Sequence, residues 1–175
     1  MNSTVTCICG RIASGKSTLA ARLRLERRAV LLSCDEITLA LFDEQIGERH
    51  DEIVARTQAY LLNKAVEIAE VGVPVILDWG FWTRREREEA THFFRRQNIP
   101  LEWIYVDVSD EVWHEHLNRR NAAIRAGHAR FYFIDDAIAA KFSAMFEVPA
   151  REEIDVWVDG THSLYGDPFT MNPEL

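Results

Sequence analysis

An α/β/α sandwich built on a parallel sheet is the fold class this sequence predicts, on three observations. Five short, nearly continuous apolar runs recur along the chain, the stretches between them carry helical periodicity, and a glycine-rich turn joins the first run to the first helical stretch. Runs that are continuous rather than alternating suit strands covered on both faces, and strands alternating with helices imply right-handed crossovers between parallel neighbours.

Taken in order, the first strand is expected over 4–9 and the first helix over 15–28, burying Leu19, Ala20, Leu23 and also Ala21. A second strand follows over 29–33. The next helix, over 51–71, puts Ile53, Ala55, Tyr60, Leu61, Ala65, Ile68 and Ala69 roughly on one face, and Gly72 ends it. After a third strand over 73–78, Thr83 and Glu86 have capping-box spacing at the start of a helix over 83–97 that stops before Pro100. The fourth strand spans 101–107. Ser109 can cap a helix reaching Arg125, a further helix covers 134–146 ahead of Pro149, and a fifth strand runs over 154–159.

The 175 residues are enough for one sizeable core, and 47% hydrophobic with 27% charged residues are ordinary globular values. One domain is therefore expected over 1–165, with 166–175, which contains Pro168 and Pro173, as a tail. A net charge of -8 argues against a nucleic-acid partner, whose phosphates need a concentrated positive surface. No apolar stretch reaches membrane-span length and the start lacks a secretory pattern, so neither membrane nor export is expected. Cys7 and Cys9 would point the same way from one strand, with poor disulfide geometry, and a reducing, cytoplasmic compartment fits the three cysteines. His114 and His116, two apart on a helix, diverge and are assigned no metal.

The turn after the first strand reads Gly10, Arg11, Ile12, Ala13, Ser14, Gly15, Lys16 and Ser17, which satisfies G-x-x-x-x-G-K-[ST], and Thr18 continues it into the helix. Such a turn aims backbone N–H groups at phosphate oxygens while the helix N-terminus adds partial positive charge. ATP and Mg²⁺ are the expected ligands, with Lys16 reaching the β- and γ-phosphates and Ser17 holding the metal. Asp78 ends the third apolar run and would stand near Ser17 as a second metal carboxylate; the bland alternative is a loop cap. Asp35 follows the second run at the same sheet edge and is the candidate base for an acceptor hydroxyl, or else the N-cap of a helix near Glu36.

Trp79 and Trp82, flanking Gly80 and Phe81, would wall an acceptor pocket or simply pack a loop. Arg84, Arg85 and Arg87 sit in a helix's first turn, where cations are disfavoured unless an anion lies near. Arg87 is the candidate acceptor contact, while pairs with Glu88 and Glu89 account for the other two. Of Arg119, Arg120, Arg125 and Arg130, Arg120 and Arg125 are chosen to neutralise charge on the transferring phosphoryl group.

These pieces, together with Leu32-Ser33-Cys34-Asp35-Glu36, Arg120-Asn121 and Phe146-Glu147-Val148-Pro149 with Glu153, make the chain resemble the P-loop predicted-kinase family (AAA_33-like). That family includes chloramphenicol phosphotransferase, zeta-toxin-type kinases and polynucleotide kinase domains. The resemblance implies a P-loop kinase fold with strand order 2-3-1-4-5, Asp35 facing the acceptor, an arginine-bearing lid at about 119–134, and residues 146–153 approaching the adenine. It implies ATP- and Mg²⁺-dependent phosphotransfer to a hydroxyl, while the acidic balance and the lack of an obvious basic groove set this chain apart from the family's nucleic-acid members and favour a small molecule, a metabolite or an antibiotic, as acceptor of a monomer or homodimer. Two other readings stay open: a nucleotide-dependent switch acting through a protein partner, and a polynucleotide or nucleotide-sugar kinase.

Overall fold

The computed structural model describes residues 1–42, 47–127 and 133–160. Five strands, β1 (Val5–Cys9), β2 (Val30–Ser33), β3 (Val75–Asp78), β4 (Leu101–Asp107) and β5 (Val156–Asp159), form one sheet in the order β2-β3-β1-β4-β5. Every neighbouring pair is parallel. The expected order 2-3-1-4-5 is thus the order present. The proposed tail over 166–175 and Arg130 lie outside the described residues.

Six helices connect the strands among the described residues: α1 (Lys16–Arg27), α2 (Cys34–Phe42), α3 (His50–Glu70), α4 (Arg84–Arg96), α5 (Asp110–Arg125) and α6 (Asp136–Met145). The local start signals operate as written in the sequence. Thr83 accepts from the backbone N–H of Glu86 while the Glu86 carboxylate accepts from the N–H of Thr83, and Ser109 accepts from the N–H of Val112. Asp135 caps α6 through the N–H of Ile138.

Side chains alternate across β1. Val5, Cys7 and Cys9 face a core shared with α3 and α4, and Ile8 faces the smaller core under α1, where Leu19, Ala20 and Leu23 are buried against Ile76 and Ile104. Cys7 and Cys9 are buried and unbridged, as is Cys34. A third cluster joins α5 to α6 through Trp113, Leu117, Ile134 and Ala139, with Ile12 and Ala13 of the P-loop packed against it.

Helix α3 corrects the expected face. Its buried spine is Leu61, Ala65 and Ala69, spaced by four, whereas Tyr60 is 62% exposed and Ile53 and Ala55 are not buried. In its first half Val54 packs partly against the core, and Asp51, Val54, Ala55 and Gln58 border a cavity. Helix α2, Cys34–Phe42, is the helix that the alternative role of Asp35 implies. No helix among the described residues is long and apolar enough to cross a membrane.

Candidate active site

Parallel strands present their carboxyl ends together, and this sheet's topology places β3 beside β1, so the loops after β1, β2 and β3 meet at one edge. Ser33, Asp78 and Ile8 are in register there. A cavity of about 510 Å³ opens above that edge, lined from Ile12 to Leu19 by the P-loop and α1.

The P-loop is closely built. Gly10 has φ +152, and a Cβ at that position would lie 2.8 Å from the carbonyl oxygen of Val106 and 2.9 Å from Ser14 Oγ, so only glycine fits. Ser14 Oγ is buried without a hydrogen-bond partner in the protein, a donor left over inside the cradle. Lys16 is buried and its Nζ donates to the Arg11 carbonyl across the loop at 2.6 Å. Burial pulls the Lys16 ammonium down to about 8, with Asp78 and Asp35 pulling the other way. A polyanion in the cradle would satisfy both the orphaned hydroxyl and the desolvated ammonium.

Helix α5 clamps the outer side of the loop at three successive residues. Arg11 Nη2 donates to Asp110 at 2.6 Å and to the Val108 carbonyl at 3.1 Å, Trp113 Nε1 donates to the Ile12 carbonyl at 2.8 Å, and His116 Nδ1 lies 3.3 Å from the Ala13 carbonyl. Positions 110, 113 and 116 step along one helix face, so a short stretch of helix grips a short stretch of loop. Burial lowers the His116 pKa, with Arg119 adding to the effect. His114, by contrast, bonds its own helix at the Asp110 carbonyl. The two histidines diverge, and Trp113 and His116 bind the loop's carbonyls, a role that their i, i+3 spacing on α5 permits.

Asp78 is buried at the floor of the cavity. Burial raises its pKa, opposed by Lys16 and by a hydrogen bond with Ser17. A hydroxyl and a desolvated carboxylate in contact form an oxygen donor set of the kind Mg²⁺ takes, and a dication there would offset the cost of burying the acid. Asp35 is exposed to the cavity in the first turn of α2, close enough to Lys16 and Arg120 to stabilise both as cations. It is not the helix cap, because the backbone N–H of Glu36 goes to Ser33 Oγ.

Trp79, Gly80, Phe81 and Trp82 also line the cavity. Trp79 stacks on Phe81 with centroids 4.7 Å apart, and Trp82 packs against Phe142 of α6 at 4.6 Å. The Trp82 ring folds back so closely over Gly80 that a Cβ there would lie 1.9 Å from the indole nitrogen.

Two expected contacts are corrected. Arg87 does not line the cavity: it is 2% exposed, with Nε donating to Glu153 at 2.8 Å and Nη1 donating to the carbonyls of Phe81 at 3.2 Å and Glu147 at 3.0 Å. The anion that justifies this arginine in a helix's first turn belongs to its own chain. Residues 146–153 are tied to that same loop, Glu147 donating its N–H to the Trp82 carbonyl and accepting from the N–H of Arg84, and none of them lines the cavity. Arg84 and Arg85 pair with Glu88 and Glu89 as expected.

Of the arginines on α5, Arg119 and Arg120 reach the cavity. Arg125 does not, and its exposed guanidinium lies over the Phe133 ring at 4.9 Å. Five residues of α-helix turn it about 140° away from the face that carries Arg120. The sequence reading also missed Asp51, Val54 and Gln58 of α3 and Phe142 and Met145 of α6, which complete the wall.

Comparison with known proteins adds the following. A family model described as an AAA domain, AAA_33, matches residues 5–149. A search of curated proteins finds no match. Among solved structures, a protein from Chloroflexus aurantiacus described provisionally as a kinase is similar over 92% of this chain and 90% of its own, with TM-score 0.71 and 20% identity. An APS kinase from Mycobacterium tuberculosis, in complex with AMPPNP and APS, is similar over 90% and 88%, with TM-score 0.63 and 20% identity. A gluconokinase from Sinorhizobium meliloti is similar over 96% and 85%, with TM-score 0.59 and 17% identity.

Proposed function

The chain belongs to the AAA_33 family of P-loop, kinase-like domains, and from that premise we propose that it transfers the γ-phosphoryl group of ATP to a hydroxyl of a small molecule. The observation that carries the proposal is the meeting of Lys16, the Ser17–Asp78 pair and Asp35 around one cavity whose remaining wall is aromatic.

In this reading the P-loop amides, Ser14 Oγ and Lys16 hold the phosphates, and Ser17 and Asp78 hold the metal. Magnesium, when bound with the nucleotide, supplies neutralisation of charge on the β- and γ-oxygens. Asp35 accepts the proton of the acceptor hydroxyl as its oxygen bonds to the γ-phosphorus and the bond to the leaving ADP oxygen breaks. Arg120 faces the charge that spreads over the transferring group, and Trp79 and Trp82 position the acceptor.

A panel of hydroxyl compounds with labelled ATP tests the reading. Transfer to at least one compound, lost by about 10²- to 10⁴-fold in Asp35→Asn at unchanged nucleotide affinity, is the expected result. A full rate in that variant removes Asp35 from its role, and nucleotide hydrolysis with no transfer to any compound favours a switch ATPase instead. Trp113→Phe keeps the ring but strips the donor from the Ile12 carbonyl, and calorimetry should show magnesium-AMPPNP affinity falling roughly 2- to 12-fold. Unaltered affinity would mean the loop holds its shape without α5.

A further inference from the structure

Three residues of the phosphate loop have positive φ: Gly10 at +152, Ala13 at +58 and Gly15 at +96. Glycine visits that half of conformational space about as readily as the other. Alanine does not, because its Cβ crowds the following carbonyl, which disfavours the left-handed conformation by a factor of roughly 5–30 in population. Such a residue persists there only where its surroundings hold it.

For Ala13 those surroundings are on α5. The peptide planes on either side of it both turn their carbonyls outward: that of Ile12 accepts from Trp113 Nε1 at 2.8 Å, and that of Ala13 faces His116 Nδ1 at 3.3 Å. A carbonyl can only accept, so the imidazole carries its proton on Nδ1. In a trans peptide the N–H points opposite to the carbonyl, so the Ala13 N–H is turned away from α5, and the Ser14 N–H closes the turn onto the Arg11 carbonyl at 3.2 Å. That same carbonyl accepts from Lys16 Nζ. Relaxation of Ala13 to negative φ would turn over the peptide joining it to Ser14. The Ser14 N–H would leave the Arg11 carbonyl, and Ser14 Oγ, now buried in the cradle, would leave with it.

We propose that His116 is a positioning residue for the nucleotide: its Nδ1–H bond to the Ala13 carbonyl holds a non-glycine residue left-handed and so keeps the loop shaped for phosphate before any arrives. This rests on nucleotide binding in the phosphotransfer reading above. It adds a dependence between two particular side chains 103 positions apart, since a glycine at 13 would make the histidine dispensable.

Calorimetry of magnesium-AMPPNP on the full chain tests it, with melting temperatures to establish that each variant folds. His116→Ala should weaken binding roughly 2- to 12-fold, as loss of one hydrogen bond does, and His116→Leu, which keeps the bulk, should match it. His116→Asn places an amide nitrogen as far from Cβ as Nδ1 is, and should recover most of the affinity. On an Ala13→Gly background the loss caused by His116→Ala should fall below about 1.5-fold, because glycine adopts positive φ unaided. Equal losses in the two backgrounds, undiminished binding in His116→Ala or His116→Leu, or His116→Asn as weak as His116→Ala overturns the proposal while nucleotide binding stands. Failure of the unaltered protein to bind AMPPNP removes the phosphotransfer reading and this one with it.

Discussion

Arg120→Ala should lower the rate of phosphoryl transfer by about 10³-fold or more, while the affinity for magnesium-nucleotide changes far less. Arg120 shares a helix face with His116, which touches the P-loop, and its guanidinium is half-buried at the cavity beside Asp35. Burial lowers its pKa and Asp35 opposes that, yet the group keeps its charge at any working pH. A cation held in a poorly solvated place facing the cradle acts most strongly on charge that develops during transfer, which is why the loss belongs in turnover rather than in binding. Arg120→Lys should recover little, since an ammonium lacks the planar fork. Arg125→Ala is the control and should cost no more than a few-fold, its guanidinium being turned away toward Phe133. Single-turnover rates with an acceptor from the panel decide the matter. If Arg125→Ala proves the crippled variant and Arg120→Ala the mild one, the assignment of Arg120 to the transferring group is wrong.

Arg87→Met should destabilise the protein by about 2–3 kcal/mol, because it removes a buried donor of charge-assisted hydrogen bonds while the Glu153 carboxylate, 18% exposed, stays partly solvated. For a chain of this length that is roughly 4–12 °C in melting temperature. The variant leaves Oε2 of Glu153 and the carbonyls of Phe81 and Glu147 without the donors Arg87 supplies, while Oε1 keeps the N–H of Ala150. Burial pushes the Glu153 carboxyl up, but its bonds to Arg87 and to the N–H of Ala150 outweigh burial and hold its pKa below the usual range. A carboxylate depressed in the folded state adds stability above its unfolded pKa of about 4.3, and that increment is lost as pH falls through the folded value. The difference in stability between the native protein and Arg87→Met should therefore shrink on acidification below about pH 4. Pairing the change with Glu153→Gln should restore part of the loss, because no stranded charge remains. Denaturant unfolding at several pH values measures all of this. A loss under 1 kcal/mol would show the pair to be dispensable.

The same substitution carries a functional signature. Arg87 ties the carbonyl of Phe81, a residue at φ +44, to the segment that holds Glu147, so it braces the loop that presents Trp79 and Trp82. Loosening that loop should raise the acceptor KM with less effect on nucleotide affinity, a split that a general loss of stability does not produce.

Much of the framework is legible in the sequence because its signals are local. The five apolar runs become the five strands, Thr83 with Glu86 and Ser109 become caps, and Gly10 to Ser17 wraps between β1 and α1. Each depends on periodic burial or on hydrogen bonds spanning a few residues, which the order of residues dictates wherever the element is placed. The difference at α3 has the same origin: periodicity marks apolar residues but does not say which of them meet the core, and here Leu61, Ala65 and Ala69 do while Val54 and Ala55 border the cavity and Tyr60 stands in solvent.

By itself, then, the sequence determined the layered α/β framework, the phosphate cradle and the two acids, Asp35 and Asp78, at the sheet edge. Tertiary structure alone decided that Arg87 answers to Glu153, 66 residues away, that Trp113 reaches back 101 residues to the Ile12 carbonyl, and that Arg120 faces the cavity while Arg125 does not. The reason is that a charged or polar side chain takes its partner from whatever the strand order and layer packing bring near. That choice is set by the whole sheet and is invisible in any window of the chain.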